Sequence, residues 1–252
     1  VLESSLKNKV KRIIFISSTA VYGISNKHPI YEDDKLIDAG PYGGTKIIAE
    51  KICEEYRKKG MCIPIIRPKT FIGTGMLGIF QILYDWIENG KKIPIIGNGK
   101  SRYQLLEVED LVDAIYLTLI KNEKDVNDTF NVGASEFKSV FEDVSSLCLF
   151  ANSGAKVMKT PSLLVKFFLR IFEVLRISPI YKWVYETADK DSFVSTEKIQ
   201  KKLDWNPKYS NSETLIRSYK WYLEHKKELT GTGVSHRVAW SQGVLALIKK
   251  FM

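Results

Sequence analysis

Two short, continuously apolar runs followed by polar residues most constrain the fold of this chain. Residues 13–16 read Ile-Ile-Phe-Ile and lead into the hydroxyl residues Ser17, Ser18 and Thr19. A second apolar run occupies residues 62–66. Runs this short and this apolar are typical of strands that are buried on both faces of a parallel sheet. Because ligands of such sheets bind at the carboxyl ends of the strands, the sequence predicts an α/β protein with a site at these ends.

A tyrosine and a lysine lie four residues apart in Tyr42-Gly-Gly-Thr-Lys46, within a segment that reads as the start of a helix. Residues at this spacing share one face of a helix, so the ammonium of Lys46 is expected near the phenol of Tyr42. A nearby positive charge stabilises a phenolate, and a phenolate can take a proton from an alcohol. The spacing alone fits either an acid–base tyrosine supported by a lysine or an ordinary helix start with a solvated lysine, and the motifs on both sides favour the first.

Further motifs follow in a recognisable order. They are Ser-Ser-x-x-Val-Tyr-Gly at 17–23, Pro-Tyr-x-x-x-Lys at 41–46, Arg-Pro-Lys-Thr-x-x-Gly at 67–73, the segment 97–110, Phe-Asn-Val-Gly at 130–133 and Asp-Trp-Asn-Pro at 204–207. Together they resemble the extended short-chain dehydrogenase/reductases, and within these the NAD-dependent nucleotide-sugar epimerase/dehydratase family. Most of the resemblance lies in the first half of the chain.

The resemblance implies roles for individual residues. It places Ser18, Tyr42 and Lys46 at the catalytic centre, with Ser18 donating a hydrogen bond to the oxygen whose charge changes. The cofactor contacts that it implies are Ser17, Tyr42, Lys46, Pro68 and Lys69. The substrate contacts that it implies are Thr19, Thr70, Arg102 and Gln104. The implied cofactor is NAD, with NADP as the alternative, and the implied partner is a nucleotide-diphosphate sugar. A homodimer is compatible with the family.

The expected architecture is the C-terminal half of a Rossmann-type parallel sheet plus a smaller, mixed α/β substrate-binding lobe. We assign residues 1–73 and 104–133 to the partial NAD-binding domain, and residues 74–103 and 134–252 to the lobe and a C-terminal tail. The glycine fingerprint Gly-x-Gly-x-x-Gly, which opens such domains, occurs nowhere in the sequence. We therefore expect a truncated form that lacks the first half of the nucleotide fold and binds NAD poorly.

Departures from the family pattern narrow the reaction. Dehydratases of the family carry Asp-Glu directly after their hydroxyl residue, whereas this chain has Thr19-Ala20, which cannot perform that proton transfer. Thr70 replaces a substrate-contacting Asn. Arg102 lies one residue earlier than the usual arginine, and Gln104 stands where an Asp is common. The Thr19-Ala20 pair favours an epimerase over a 4,6-dehydratase, whereas the other three differences concern the substrate contacts.

Composition and motif content argue against several other classes of protein. The net charge of +9, from 38 basic and 29 acidic residues, fits a basic site for a diphosphate. No zinc spacing, helix-turn-helix signal or RNA-binding motif supports a nucleic-acid partner. The cysteines, Cys53, Cys62 and Cys148, have no metal-ligand spacing, and no metal site is predicted. No signal peptide or membrane-spanning run is visible, so we expect a cytoplasmic protein.

One segment of the second half, residues 161–177, stands apart because it is apolar around most of a helix. Lys166, Arg170 and Glu173 form a narrow polar stripe. Such a helix is usually buried, within the lobe or at a subunit interface. A lid or a contact with a membrane surface is the alternative.

The residues are compatible with more than one function. The first is an NAD-dependent epimerase acting on a nucleotide-diphosphate sugar through a transient keto intermediate. The alternatives are an NAD(P)-dependent reductase or dehydrogenase of the same superfamily, and a catalytically inactive fragment that keeps the fold. The predicted diphosphate segment around Arg102 favours the epimerase over the reductase, and the absent glycine fingerprint favours the inactive fragment.

Overall fold

A computed structural model describes residues 1–175, 177, 182–229, 232–233 and 238–252 of the chain. The helices and strands in chain order are α1 (Leu2–Lys7), β1 (Phe15–Ile16), α2 (Pro41–Lys58), β2 (Ile65–Pro68), β3 (Thr70–Ile72), α3 (Phe80–Glu88), β4 (Lys92–Ile96), β5 (Leu105–Glu107), α4 (Val108–Ile120), α5 (Glu123–Val126), β6 (Thr129–Val132), α6 (Val140–Ala151), β7 (Lys156–Thr160), α7 (Ser162–Val174), α8 (Lys182–Thr187), α9 (Glu197–Leu203), α10 (Asn211–His225), β8 (Thr232–Gly233), β9 (Ala239–Trp240) and α11 (Leu245–Ile248). Short 3-10 helices occupy Thr19–Tyr22 and Lys249–Phe251.

The chain divides into two compact units. Unit 1 comprises Val1–Phe71, Gln104–Ser135 and Ser192–Tyr209, and unit 2 comprises Ile72–Tyr103, Glu136–Asp191 and Ser210–Met252. The sequence assigned residues 192–209 to the lobe, whereas these residues pack with unit 1. They do so because Ile199, Leu203 and Trp205 join the same buried apolar cluster as residues of β2, α4 and β6.

Unit 1 is built on a parallel sheet with the strand order β1-β2-β6. Phe15 pairs with Ile65, and Ile65 pairs in turn with Thr129. Every residue of β2 and β6 is buried, as the apolar runs predict for strands covered on both faces. The predicted α/β class is confirmed.

A buried ion pair fixes α2 against this sheet. Glu50 of α2 is 1% exposed and accepts two hydrogen bonds from Arg67 of β2, with Nε–Oε1 at 3.0 Å and Nη2–Oε2 at 2.6 Å. Arg67 Nη1 also donates to the hydroxyl of Tyr22 at 2.7 Å, and that hydroxyl donates to Asn131 Oδ1 at 2.7 Å. The helix that carries Tyr42 and Lys46 is thereby tied to β2 and β6.

Unit 2 combines a parallel strand pair with helices. In register, β4 lies beside β7, with Ile93 opposite Val157. Tyr84 of α3 is fully buried and its ring lies 5.7 Å and 5.8 Å from the rings of Tyr219 and Tyr222 on α10. Within the described residues, no helix is long and apolar enough to cross a membrane, and no group of acidic, Cys or His side chains could hold a metal ion.

Candidate functional site

Three consecutive hydroxyl residues follow β1, and each has a different environment. The N–H of Ser17 donates to Ile66 O at 2.7 Å and so extends the parallel ladder. The Ser17 hydroxyl is buried and has no hydrogen-bond partner in the described part of the chain. Ser18 Oγ accepts from Ala20 N–H at 3.1 Å and caps the 3-10 helix, while Thr19 Oγ1 donates to Pro68 O at 3.2 Å. A buried hydroxyl without a partner needs one, which marks Ser17 for a ligand.

Glycine at position 43 brings the first turn of α2 against the 3-10 helix. A Cβ on Gly43 would stand 2.8 Å from the carbonyl oxygen of Ala20, a distance that a side chain cannot tolerate. Tyr42 is therefore carried close to the segment that holds Ser18. Its side chain is 60% exposed. This exposure leaves the phenol accessible to a substrate.

Lys46 lies one helical turn after Tyr42, as the spacing predicts. Its Nζ donates to Ile16 O, at the end of β1, at 2.8 Å. The same Nζ lies 5.9 Å from the centroid of the Tyr42 ring and 5.1 Å from that of Phe15. Because an ammonium has three donors, Lys46 can keep its bond to Ile16 and donate to a further acceptor. The segments that carry Ser18, Tyr42 and Lys46 therefore lie close together at the end of β1.

A second tyrosine near this site has a different role. Tyr22 is 1% exposed, and burial raises the pKa of its phenol to about 12, although the adjacent Arg67 opposes this shift. Tyr22 therefore stays protonated and serves as a hydrogen-bond donor to Asn131. Of these two tyrosines, only Tyr42 has an exposed side chain, and its role in proton transfer stays a prediction.

Lys69 is a buried amine at the end of β2. Its side chain is almost fully covered, its Nζ donates to Ser192 Oγ at 2.7 Å, and its N–H donates to Val132 O. Burial lowers the pKa of Lys69 from 10.5 to about 7. An amine that titrates near neutrality gains a proton readily when an anion binds beside it. The cofactor contact of Lys69 stays a prediction.

The lowered pKa of Lys69 predicts a pH-dependent stability. Between pH 7 and 10.5 the unfolded chain binds this proton and the folded chain does not, so the free energy of unfolding rises with pH across that window. Below the folded pKa, the cost of burying a charge is fully present. We expect Lys69→Met to stabilise the ligand-free protein at pH 6.5 by about 1–3 kcal/mol, and less at pH 9.

Urea unfolding at both pH values measures this effect. Lys51→Met is the control because Lys51 is an exposed lysine of α2. A gain for Lys69→Met that is the same at both pH values would contradict a titrating buried amine.

The predicted substrate-contacting residues differ in how accessible their side chains are to a ligand. Gln104 is 1% exposed, its Nε2 donates to Ala134 O at 2.7 Å, and its Oε1 accepts from Val194 N–H at 2.9 Å. Both ends of its amide are thus used by the backbone, which favours a structural role. Thr70 is half-buried at the start of β3. In unit 2, Arg102 is exposed, and its guanidinium lies 4.8 Å from the ring centroid of Phe137.

Sequence reasoning missed the residues that support the site. Glu50 lies four residues after Lys46, so the helical period places both on one face of α2. A buried glutamate is not expected from such a pattern, because its partner, Arg67, is known only once β2 is placed beside the helix. Ser192, the partner of Lys69, carries no motif that could have identified it.

Residues 1–133, just over half of the chain, match the model of the NAD dependent epimerase/dehydratase family, and the chain belongs to this family. Among curated relatives, the uncharacterized protein y4nG of Sinorhizobium fredii is 30% identical over 250 residues, which cover 98% of this chain and 62% of the relative. A UDP-glucose 4-epimerase of Lactobacillus helveticus is 29% identical over 242 residues, covering 86% of this chain and 66% of the relative. The chain thus spans slightly less than two thirds of these relatives.

Solved structures show the same fold. The UDP-glucose 4-epimerase of Thermotoga maritima with UDP-glucose has a TM-score of 0.70 at 24% identity, covering 89% of this chain and 67% of that structure. At this identity the likeness concerns the fold alone. It confirms the Rossmann-type α/β prediction.

The residues at the end of β1 fit part of the NAD that the family uses. The buried Ser17 hydroxyl lacks a partner within the described residues, and Lys46 has donors to spare. Both suit the polar oxygens of a nicotinamide ribose. The glycine-rich turn that binds the pyrophosphate in such folds is not among the residues of this sequence.

Proposed function

We propose that this chain carries the catalytic residues of an NAD-dependent epimerase that acts on a nucleotide-diphosphate sugar. The observation that supports this most is the position of Lys46, whose ammonium contacts both the end of β1 and the ring of Tyr42. Relatives named UDP-glucose 4-epimerase add to the proposal. Other relatives are named UDP-arabinose 4-epimerase, so the substrate class that we propose is a UDP-sugar.

In this proposal Tyr42 exchanges a proton with the sugar hydroxyl at the carbon that changes configuration. The ammonium of Lys46 stabilises the phenolate that does so. Ser18 Oγ, which accepts from Ala20 N–H, keeps its own O–H to donate to the same sugar oxygen. Ser17 and Lys46 would hold the ribose of NAD, which would supply a reversible hydride acceptor for the sugar carbon.

The residues after Ser18 favour epimerisation over dehydration. Loss of water from the carbon next to a ketone needs an acid and a base close to that carbon. Here the Thr19 hydroxyl donates a hydrogen bond to the Pro68 carbonyl oxygen, and Ala20 has no titratable group. We therefore expect no 4,6-dehydratase activity.

Because this chain is expected to bind NAD poorly by itself, the proposal is tested on a full-length parent that also carries the glycine-rich turn, by incubating it with NAD and either UDP-glucose or UDP-galactose. The expected result is interconversion of the two sugars with no net formation of NADH. Stoichiometric NADH would instead indicate a dehydrogenase. Absence of both reactions, in a protein shown to be folded and to bind NAD, would contradict the proposal.

Arg102 is proposed to bind the diphosphate of the sugar nucleotide. Because a guanidinium donates a charge-assisted pair of hydrogen bonds, Arg102→Ala is expected to cost about 2 kcal/mol and to raise KM about 30-fold. Arg102→Lys keeps the charge but loses the paired geometry, and should give an intermediate KM. Steady-state kinetics of both variants tests this. An unchanged KM for Arg102→Ala would show that the arginine has only a structural role.

A further inference from the structure

The helix α7 of unit 2 holds its polar side chains in ion pairs, but it buries only part of its apolar surface. Lys166 Nζ lies 2.6 Å from Asp189 Oδ1, and Arg170 Nη2, on a side chain that is 61% exposed, lies 2.7 Å from Glu186 Oε1. Leu169 is the buried apolar residue of this helix. Tyr185 donates its hydroxyl proton to Glu173 at 2.5 Å. The polar stripe is therefore satisfied within unit 2, and rotating the helix would break these contacts.

The opposite side of α7 is apolar and exposed. Leu163 and Val174 are 87% and 82% exposed, and the other exposed apolar residues are Leu164, Phe167, Phe168, Ile171 and Leu175. At 100° per residue these side chains occupy one face of the helix, and Arg170 is at its edge. This face is not buried within the lobe, and its burial at a subunit interface stays a prediction. A contiguous exposed patch of this kind marks an interaction surface.

The C-terminal segment extends the apolar surface beside α7. A cavity of about 420 Å³ is lined by Phe168, Leu169 and Phe172 from α7 and by Leu245 and Ile248 from α11, so the two helices flank the same space. Next to them Leu247 is 57% and Phe251 84% exposed. Between these two residues in the sequence, Lys250 is exposed, whereas Lys249 is paired with Asp85 at 2.6 Å. Apolar side chains interleaved with lysines are typical of segments that lie in the interface of a membrane.

The charge of unit 2 indicates what covers this surface. Its residue ranges contain 19 Lys and Arg against 12 Asp and Glu, a net charge of +7 out of the +9 of the whole chain. A second copy of the same chain would bring an equal positive charge to the contact, whereas an anionic bilayer would neutralise it. We propose that the exposed face of α7, with the α11 segment, binds to the surface of an anionic lipid bilayer. The helix lies in the interface and does not span it, since it is only 13 residues long.

The test is flotation of the protein with vesicles of phosphatidylglycerol and phosphatidylcholine in equal parts, compared with phosphatidylcholine alone. Binding is expected to the first kind and to fall with added salt. Leu163→Glu with Val174→Glu should weaken binding about tenfold or more, because two apolar side chains become charged. Both side chains are largely exposed, so the variant should fold, which circular dichroism checks.

Leu149→Glu is the matched control, since Leu149 lies on α6 of the same unit and is 80% exposed. It should bind vesicles almost as the parent does. Three results would overturn the proposal. They are a parent protein that does not bind anionic vesicles, a parent that binds neutral and anionic vesicles to the same extent, and an α7 variant that binds anionic vesicles as strongly as the Leu149→Glu control. A parent that forms dimers lost in the α7 variant, without vesicle binding, would instead assign the face to a second copy.

Discussion

Replacing Tyr42 by Phe is expected to lower the rate of nucleotide-sugar epimerisation by about 10²–10⁴-fold, the usual contribution of a positioned acid or base. The change removes only the hydroxyl of a side chain that is 60% exposed. The free energy of unfolding should therefore stay within about 0.5 kcal/mol of the parent, as for most surface changes. The rate loss should appear in kcat, because the phenol acts on the sugar during the reaction and adds little to binding.

The measurement is the initial rate of sugar interconversion at saturating substrate, with urea unfolding beside it. Tyr116→Phe is the control, because Tyr116 on α4 is 57% exposed and lies outside the predicted site. That variant should retain the parent rate. A Tyr42→Phe protein within about threefold of the parent rate would remove Tyr42 from the mechanism, since acid–base residues contribute far more than this.

Much of the placement of the candidate site residues could be predicted because these residues are close together in the sequence. Tyr42 and Lys46 are separated by one helical turn, and Ser17 and Ser18 end an apolar strand. Local patterns of this kind determine which face or end a residue occupies. The structure places these residues around the end of β1, through the Lys46 bond to Ile16 and the close approach of Gly43 to Ala20.

Strand lengths were harder to predict than strand positions. The apolar run suggested a strand over residues 13–16, but β1 contains only Phe15 and Ile16. The neighbouring strand explains the difference, because Pro64 lacks an N–H and cannot donate to a ladder. Its carbonyl still accepts from Phe15 N–H at 2.8 Å, and Ile13 N–H bonds to Cys62 O. The extended segment is longer than its regular part.

Contacts that depend on distant residues could not be predicted at all. The sequence pattern of α7 shows which residues share its polar face, but not which part of the protein that face contacts. The contact is set by Glu186 and Asp189, which lie on a later segment. Gln104 was placed in the substrate site by its motif position. In the fold, the Gln104 amide packs directly against Gly133, the residue after β6. A Cβ on Gly133 would lie only 2.5 Å from Gln104 Cδ.

Removing the carboxylate of Glu50 is expected to have the largest effect on stability. Glu50→Ala would leave the Arg67 guanidinium, 3% exposed, without its charged partner. Breaking one side of a buried ion pair costs about 3–5 kcal/mol. This is a large part of the 5–15 kcal/mol typical of a folded domain. Urea unfolding monitored by far-UV circular dichroism should show an unfolding midpoint well below that of the parent.

The matched control is Glu197→Ala, which breaks an exposed i,i+4 pair with Lys201 at 2.9 Å. It should cost less than about 1 kcal/mol, as exposed pairs do. Equal losses in the two variants would show that the buried pair contributes no more than a surface pair.

The double variant Glu50→Leu with Arg67→Met separates the value of the pair from the cost of leaving one charge alone. Apolar residues of similar size often replace a buried pair with little loss, so the double variant should be more stable than Glu50→Ala. It should nevertheless be a poorer epimerase, because Glu50 ties α2 to β2 one turn beyond Lys46, and Arg67 also holds the Tyr22 hydroxyl. A double variant with full activity would show that this pair stabilises the fold without positioning Lys46.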